Sequence, residues 1–143
     1  MQATGLRRTD PMILGFLAEA FALKGDLAEG MRTLATASAA AEAAGAHWAD
    51  AELNRLRGDL LARLPSGDWV EVETCFRTAL TVARKQGSRG FELRAATSLA
   101  RLMSMQQRAT EARELLEPVY GWFTEGFDTE DLRDAKALLD ELG

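Results

Sequence analysis

Residues 11–45 read PMILGFLAEAFALKGDLAEGMRTLATASAAAEAAG, and this stretch decides the fold. Asp10 followed by Pro11 predicts a helix start, with a side-chain cap and proline at the first helical position. Gly25-Asp26 predicts a turn, and Asp26 with Glu29 three residues on has the form of a capping box. The stretch therefore reads as two helices, about 11–24 and 27–44, joined by a turn too short for anything but packed neighbours.

The pattern recurs along the chain. Gly5, Gly45, Gly87 and Gly126 fall at spacings of 40, 42 and 39 residues, and thirteen residues after each of the first three comes a small residue (Ala18, Gly58, Ala100). Repetition at such a period marks a stacked helical repeat. A second pair is predicted over about 47–64 and 69–86, where Asp68 and Glu71 repeat the cap pattern after the turn Pro65-Ser66-Gly67-Asp68. A third runs over about 89–105 and 109–122, and a last helix over about 130–142 begins behind Thr129. The second helices align: Gly30, Leu34 and Ala37 with Val72, Phe76 and Ala79, then with Ala112, Leu116 and Val119. Spacings of four and three put each trio on one helical face. Pro118 should bend the sixth helix and swing Val119, Trp122 and Phe123 over the end of the stack. Trp48, Trp69, Tyr120, Trp122, Phe123 and Phe127 are read as core packing at helical spacing and at the repeat junctions rather than as a ligand-stacking set.

The expected fold is all-α: a right-handed superhelix of three antiparallel helix pairs (about 10–44, 47–86 and 89–123) plus a capping helix (about 129–142). Together they form a single domain over 1–143. At 143 residues, with 47% hydrophobic and 27% charged residues, the chain can bury a continuous core unaided. No apolar run is long enough to span a bilayer, and the first ten residues do not read as a secretory signal. The single cysteine, Cys75, excludes an intrachain disulfide and fits a reducing compartment, so a cytoplasmic location is expected. A net charge of −5 argues against general nucleic-acid binding. The charge is unevenly spread. Seven cations (Arg77, Arg84, Lys85, Arg89, Arg94, Arg101, Arg108) stand against one acid, Glu92, while seven acids follow Thr124. These are either two solvated faces or a basic strip for an acidic partner or for the chain's own tail.

Ala18-x-x-Phe21, Gly25, Gly30, Leu34 and Ala37 resemble the tetratricopeptide repeat in spacing; the second copy carries an insertion at its turn, and the third has Gln107 where the turn glycine belongs. The stretches LAEAF (17–21), HWADAELNRLRGDLL (47–61), CFRTALTVARKQGSRGFELRAATSLARL (75–102) and EARELLEPVYGWFTEGFDTEDLRDAKALLDEL (111–142) are similar to a larger assembly. They resemble the C-terminal repeat region of bacterial signalling proteins that join an adenylate/guanylate cyclase or transcription-regulator domain to an ATPase. That resemblance implies a partner-sensing or assembly region, and the cyclase and ATPase activities do not carry over. Gln2-Ala3-Thr4-Gly5 holds the place of a repeat's last turn, so the chain is expected to be a fragment of a longer array or a short descendant of one. The family's groove-lining positions map onto Glu19, Glu52, Arg55, Asp59, Arg63, Arg94, Thr97 and Arg101. Arginines there could hold a partner's carboxylates, or the row could be intrahelical pairs such as Glu52/Arg55 and Asp59/Arg63.

Catalytic chemistry has little to work with. His47, the only histidine, reads as a surface or capping residue, and Cys75 as a buried inert thiol. One histidine and one cysteine cannot supply a zinc site, and no phosphate-binding glycine loop is present. Gly87-Ser88-Arg89-Gly90 reads as an inter-repeat turn. No cofactor or metal is expected, and the chain is read as no enzyme. The expected function is protein interaction or assembly, with a protein segment or neighbouring domain as partner and no nucleic acid or membrane. The alternative is a self-associating scaffold, a homodimer pairing through Met12, Ile13, Phe16, Leu17 and Met31.

Overall fold

The computed structural model describes residues 10–65 and 67–143, so Gly5 and the residues before it, and Ser66 in the second turn, lie outside the described residues. The described residues form seven α-helices: α1 (Pro11–Leu23), α2 (Leu27–Ala44), α3 (Asp50–Ala62), α4 (Trp69–Gln86), α5 (Arg89–Met105), α6 (Ala109–Gly121) and α7 (Glu130–Leu142). A short 3₁₀ turn, His47–Ala49, leads into α3, and no strand occurs among the described residues.

The helix starts follow from side-chain chemistry. Asp10 accepts hydrogen bonds from the N–H groups of Met12 and Ile13, Asp26 from Glu29, Asp68 from Val70 and Glu71, and Ser88 from Phe91. Each such cap is worth about 1 kcal/mol. The reciprocal half of the capping box is not formed: Glu29 accepts from Arg32 and Glu71 from Arg57 instead. At Thr129 the hydroxyl turns back and donates to the Gly126 carbonyl at 2.8 Å.

Four helix ends share one geometry, in which a residue one or two positions past the helix takes a left-handed backbone and the next N–H reaches back to a carbonyl five residues earlier. Three use glycine: Gly25, Gly45 and Gly87, with φ of 91°, 66° and 69°. At the end of α5 the same turn is made by Gln107 at φ 64°, with the Arg108 N–H bonded to the Met103 carbonyl at 2.8 Å. The missing glycine of the third repeat has thus been replaced without a change in the turn.

Packing runs in two ways. Each helix touches the next in sequence, and α1, α3, α5 and α7 also touch one another in series. All nine residues of the three aligned trios are buried. The small members set how closely helices approach. A β-carbon on Gly30 would lie 2.9 Å from the Ala18 carbonyl oxygen, and one on Gly58 only 2.6 Å from the Phe76 ring. Two apolar clusters result. One, about Ala18, Leu34, Leu53, Leu56 and Leu60, fills the first pair and its junction with α3. The other, about Phe76, Leu93, Leu99, Leu116 and Leu138, runs from α4 to α7. Leu132, Ala135 and Leu138 of α7 are buried in it, and Leu139 packs against it.

The aromatic reading needs correction. Trp48, Trp69, Trp122 and Phe127 are 54%, 43%, 52% and 45% exposed, so none of them is core. Pro118 leaves α6 unbroken to Gly121; Val119 is buried and Phe123 packs on the core, while Trp122 lies outside with the Arg89 guanidinium 4.5 Å from its ring. The apolar volume of the junctions is filled by leucine, alanine and Phe76, which leaves the large rings at the rims.

Two outcomes test this account. Gln107→Gly should raise stability by about 0.5–1 kcal/mol, because relief of the left-handed strain exceeds glycine's added chain entropy; denaturant unfolding would show it as a higher midpoint. Gly58→Ala should lower stability by about 1–3 kcal/mol despite alanine's better helix propensity, because the methyl overpacks against Phe76. A stabilised Gly58→Ala would show that the ring yields freely.

Candidate binding face

The series α1, α3, α5, α7 forms one wall of the molecule, and at its centre lies a polar hollow of about 180 Å³. Glu19 comes from α1, Arg55 from α3, Arg94, Thr97, Ser98 and Arg101 from α5, and Glu130, Asp131 and Asp134 from α7. Five of the eight expected groove residues line it: Glu19, Arg55, Arg94, Thr97 and Arg101. Glu52 lies beneath, 2% exposed. Asp59 lines an adjoining cavity, and Arg63 is exposed at the end of α3.

Ion pairs organise this wall. Arg55 grips Glu52 with two hydrogen bonds of 2.9 Å and gives a third, also 2.9 Å, to Asp59. Arg94 reaches from α5 to the same Glu52 and also holds Asp131 of α7, at 3.1 and 3.3 Å. A continuous chain, Asp59–Arg55–Glu52–Arg94–Asp131, therefore crosses three helices. Burial alone would lower the pKa of Arg55, but its hydrogen bond to Glu52 and the charges of Glu52 and Asp59 raise it instead, so it stays a cation. Burial pushes the Asp59 carboxyl above its ordinary range, against the pull of Arg55, Arg63 and Arg101.

Several expectations resolve here. The Glu52/Arg55 pair forms, whereas Asp59 pairs with Arg55 rather than Arg63. Arg55 lies one turn before Asp59 on the buried side, which leaves Arg63 toward solvent. Thr97 lines the hollow but spends its hydroxyl on the Leu93 carbonyl at 2.8 Å, within its own helix. Ser98 and the three α7 acids were not among the expected residues. The signal for the acids was the charge asymmetry, since the acid-rich tail turns onto this face.

The basic strip is mostly answered internally. Arg77 and Arg108 share Glu73, Arg84 and Arg89 share Glu92, and Arg94 holds Glu52 and Asp131. Among the described residues, Lys85 and Arg101 are the members of that strip with no carboxylate within 4.0 Å. Arg101 is exposed and lines three adjoining hollows.

Elsewhere the chemistry is sparse. Cys75 is buried, and burial raises its thiol pKa, with Arg57 opposing. His47 is exposed, with Nδ1 3.2 Å from an Asp50 carboxylate oxygen. No cluster of three or more histidine, cysteine or acidic side chains is placed to hold a metal among the described residues. No described helix is long and apolar enough to cross a membrane. On α1, Ile13, Phe16 and Leu17 are exposed and Leu23 extends their strip, while Met12 and Met31 are half-buried against the first core cluster.

No protein-family model, curated protein or solved structure matches the chain.

The ion chain predicts an asymmetry between its two ends. Arg94→Gln should destabilise by about 2–4 kcal/mol, because it removes one of the two cations from a buried carboxylate. Asp131→Asn, at the more open end, should cost under about 1 kcal/mol. Equal losses in urea unfolding would show that the two pairs act as one unit.

Proposed function

We propose that the chain is a non-catalytic protein-interaction module of tetratricopeptide-like build, in which three antiparallel helix pairs and a closing helix form a right-handed superhelix. Support for the build comes from the forty-residue register, the serial contact of α1, α3, α5 and α7, and the turn geometry shared by Gly25 and Gln107. The partner is a protein segment or neighbouring domain carrying carboxylates, bound on the wall formed by the odd-numbered helices. One observation carries this reading: charged side chains from four separate helices converge on one hollow, and among the described residues Arg101 stands there with no carboxylate within 4.0 Å to hold it in an ion pair. Arginine suits such a role because its planar fork can meet a carboxylate with two parallel hydrogen bonds. The similarity of the quoted stretches to bacterial cyclase–ATPase proteins favours a cytoplasmic signalling context.

Selection of random dodecapeptides displayed on phage tests the reading. Acidic peptides should be enriched that bind the wild-type protein and fail to bind Arg101→Glu. Enrichment that ignores this variant, or no enrichment, would overturn it.

A second reading, self-association, is favoured by the exposed apolar strip of Ile13, Phe16, Leu17 and Leu23 on α1, since contiguous exposed apolar surface marks an association site. A micromolar dimer should then appear in light scattering at about 50 µM and vanish in Phe16→Asp. Monomer at that concentration would exclude it.

A further inference from the structure

Beside the polar hollow, on the other side of Arg101, lies an apolar notch. A cavity of about 120 Å³ is floored by Val72, Phe76 and Leu102, and walled by Ala62, Trp69 and Met105. A second hollow of about 200 Å³ continues it along Trp69, Leu102, Met105 and Gln106. The floor is core: Val72, Phe76 and Leu102 are 4% exposed or less. The walls are not, for Met105 is 64% exposed and Trp69 43%. Val70, the next residue after Trp69, is also exposed. Large apolar side chains are thus held open around a fixed floor, at the junction of α3, α4 and α5.

The polar rim decides what fits. Arg101 and Asp59 line the same cavity. One Asp59 oxygen accepts from Arg55, and Asp59 Oδ1 makes no hydrogen bond within the described residues, which leaves it able to accept an incoming peptide N–H. Arg101, which acts on Asp59 only through space, forms no ion pair within 4.0 Å among the described residues. A notch whose mouth holds, among the described residues, an arginine outside any ion pair and a carboxylate oxygen outside any hydrogen bond complements a peptide with a carboxylate beside a large apolar side chain.

We propose that this notch is a peptide subsite, taking a leucine- or phenylalanine-sized side chain against Trp69 and Met105 while Arg101 holds an adjacent glutamate or aspartate. The inference rests on the reading of this wall as a partner-binding face and names the partner's chemistry: an acidic residue next to a large apolar one. The apolar contact supplies most of the affinity, and the ion pair sets orientation.

The probe is the capped hexapeptide Ser-Glu-Leu-Phe-Gly-Ser, with one companion carrying Gln for Glu and another carrying Ala-Ala for Leu-Phe. Binding is read from Trp69 emission in a Trp48→Phe/Trp122→Phe background, which removes the other two of the chain's three tryptophans. The parent peptide should shift Trp69 emission to the blue. Both companions should bind about tenfold more weakly or worse, as should the parent peptide on Arg101→Gln and on Met105→Glu. Both substituted residues are exposed, so an unchanged melting temperature confirms that the variants are folded. Equal binding of all three peptides, or loss of none of it in Met105→Glu, overturns the subsite. If phage-selected acidic peptides bind wild type and lose binding to Arg101→Glu while ignoring Met105→Glu, the notch falls and the wider reading stands. If neither they nor the hexapeptide binds at about 1 mM, both fall.

Discussion

Helix spacing in this chain is set where glycine or alanine meets a neighbour with nothing in between. At Gly58 the Phe76 ring occupies the space a side chain would need, and at Gly30 the backbone of α1 does the same. Close approach at these points lets Leu56 and Leu60 on α3, and Ala79 and Ala83 on α4, reach full burial. Fully burying a leucine-sized side chain contributes about 1.5–3 kcal/mol, so each contact of this kind controls several times its own energy. The two apolar clusters, and with them the positions of the odd-numbered helices, follow from that spacing.

Much of this was legible in the sequence, for a physical reason. Caps and turns are local, and Asp10, Asp26, Asp68 and the left-handed glycines act on their own neighbours. Helix bounds therefore come out within a residue or two, except at 47–49, where a 3₁₀ turn precedes α3. The buried trios were legible too, because helical periodicity reports a face directly. Tyr120 and Phe123 pack on the core, but the three tryptophans and Phe127 lie outside it, because ring size says nothing about location when smaller residues already fill a junction. Trp69 sits at the first position of α4, beside the turn, and helix ends lie at the rim of a stacked repeat.

For the candidate site, sequence spacing identified arginines on α3 and α5 but not their partners. Glu52 and Arg55 lie three apart and could be paired on spacing alone. Arg94 and Asp131 are separated by 37 residues, and only the turn of α7 onto α5 and α6 brings them together. A tail that looked like a cap by its leucine stripe is also a wall of the hollow, contributing Glu130, Asp131 and Asp134. Long-range ion pairs leave no periodic trace. The imbalance of charge between segments is the residue-level sign that they exist.

The ion chain and the apolar core do different work on the same helices. Burial of Glu52 with two arginines gives little net stability over an apolar alternative, since desolvation offsets most of the attraction. What it adds is registry: Arg94 can satisfy Glu52 and Asp131 together only if α3, α5 and α7 keep one relative position. That matters most for α5, which touches α3, α4, α6 and α7 and buries ten of its seventeen residues. A helix held on so many sides presents its few exposed side chains, Arg101 and Met105 among them, in fixed positions. Groups presented from a rigid element lose little entropy on engaging a ligand, whereas the same arginine on a loop would have to be ordered first. Arg101 and the open Met105 thus stand on the helix best able to hold them still.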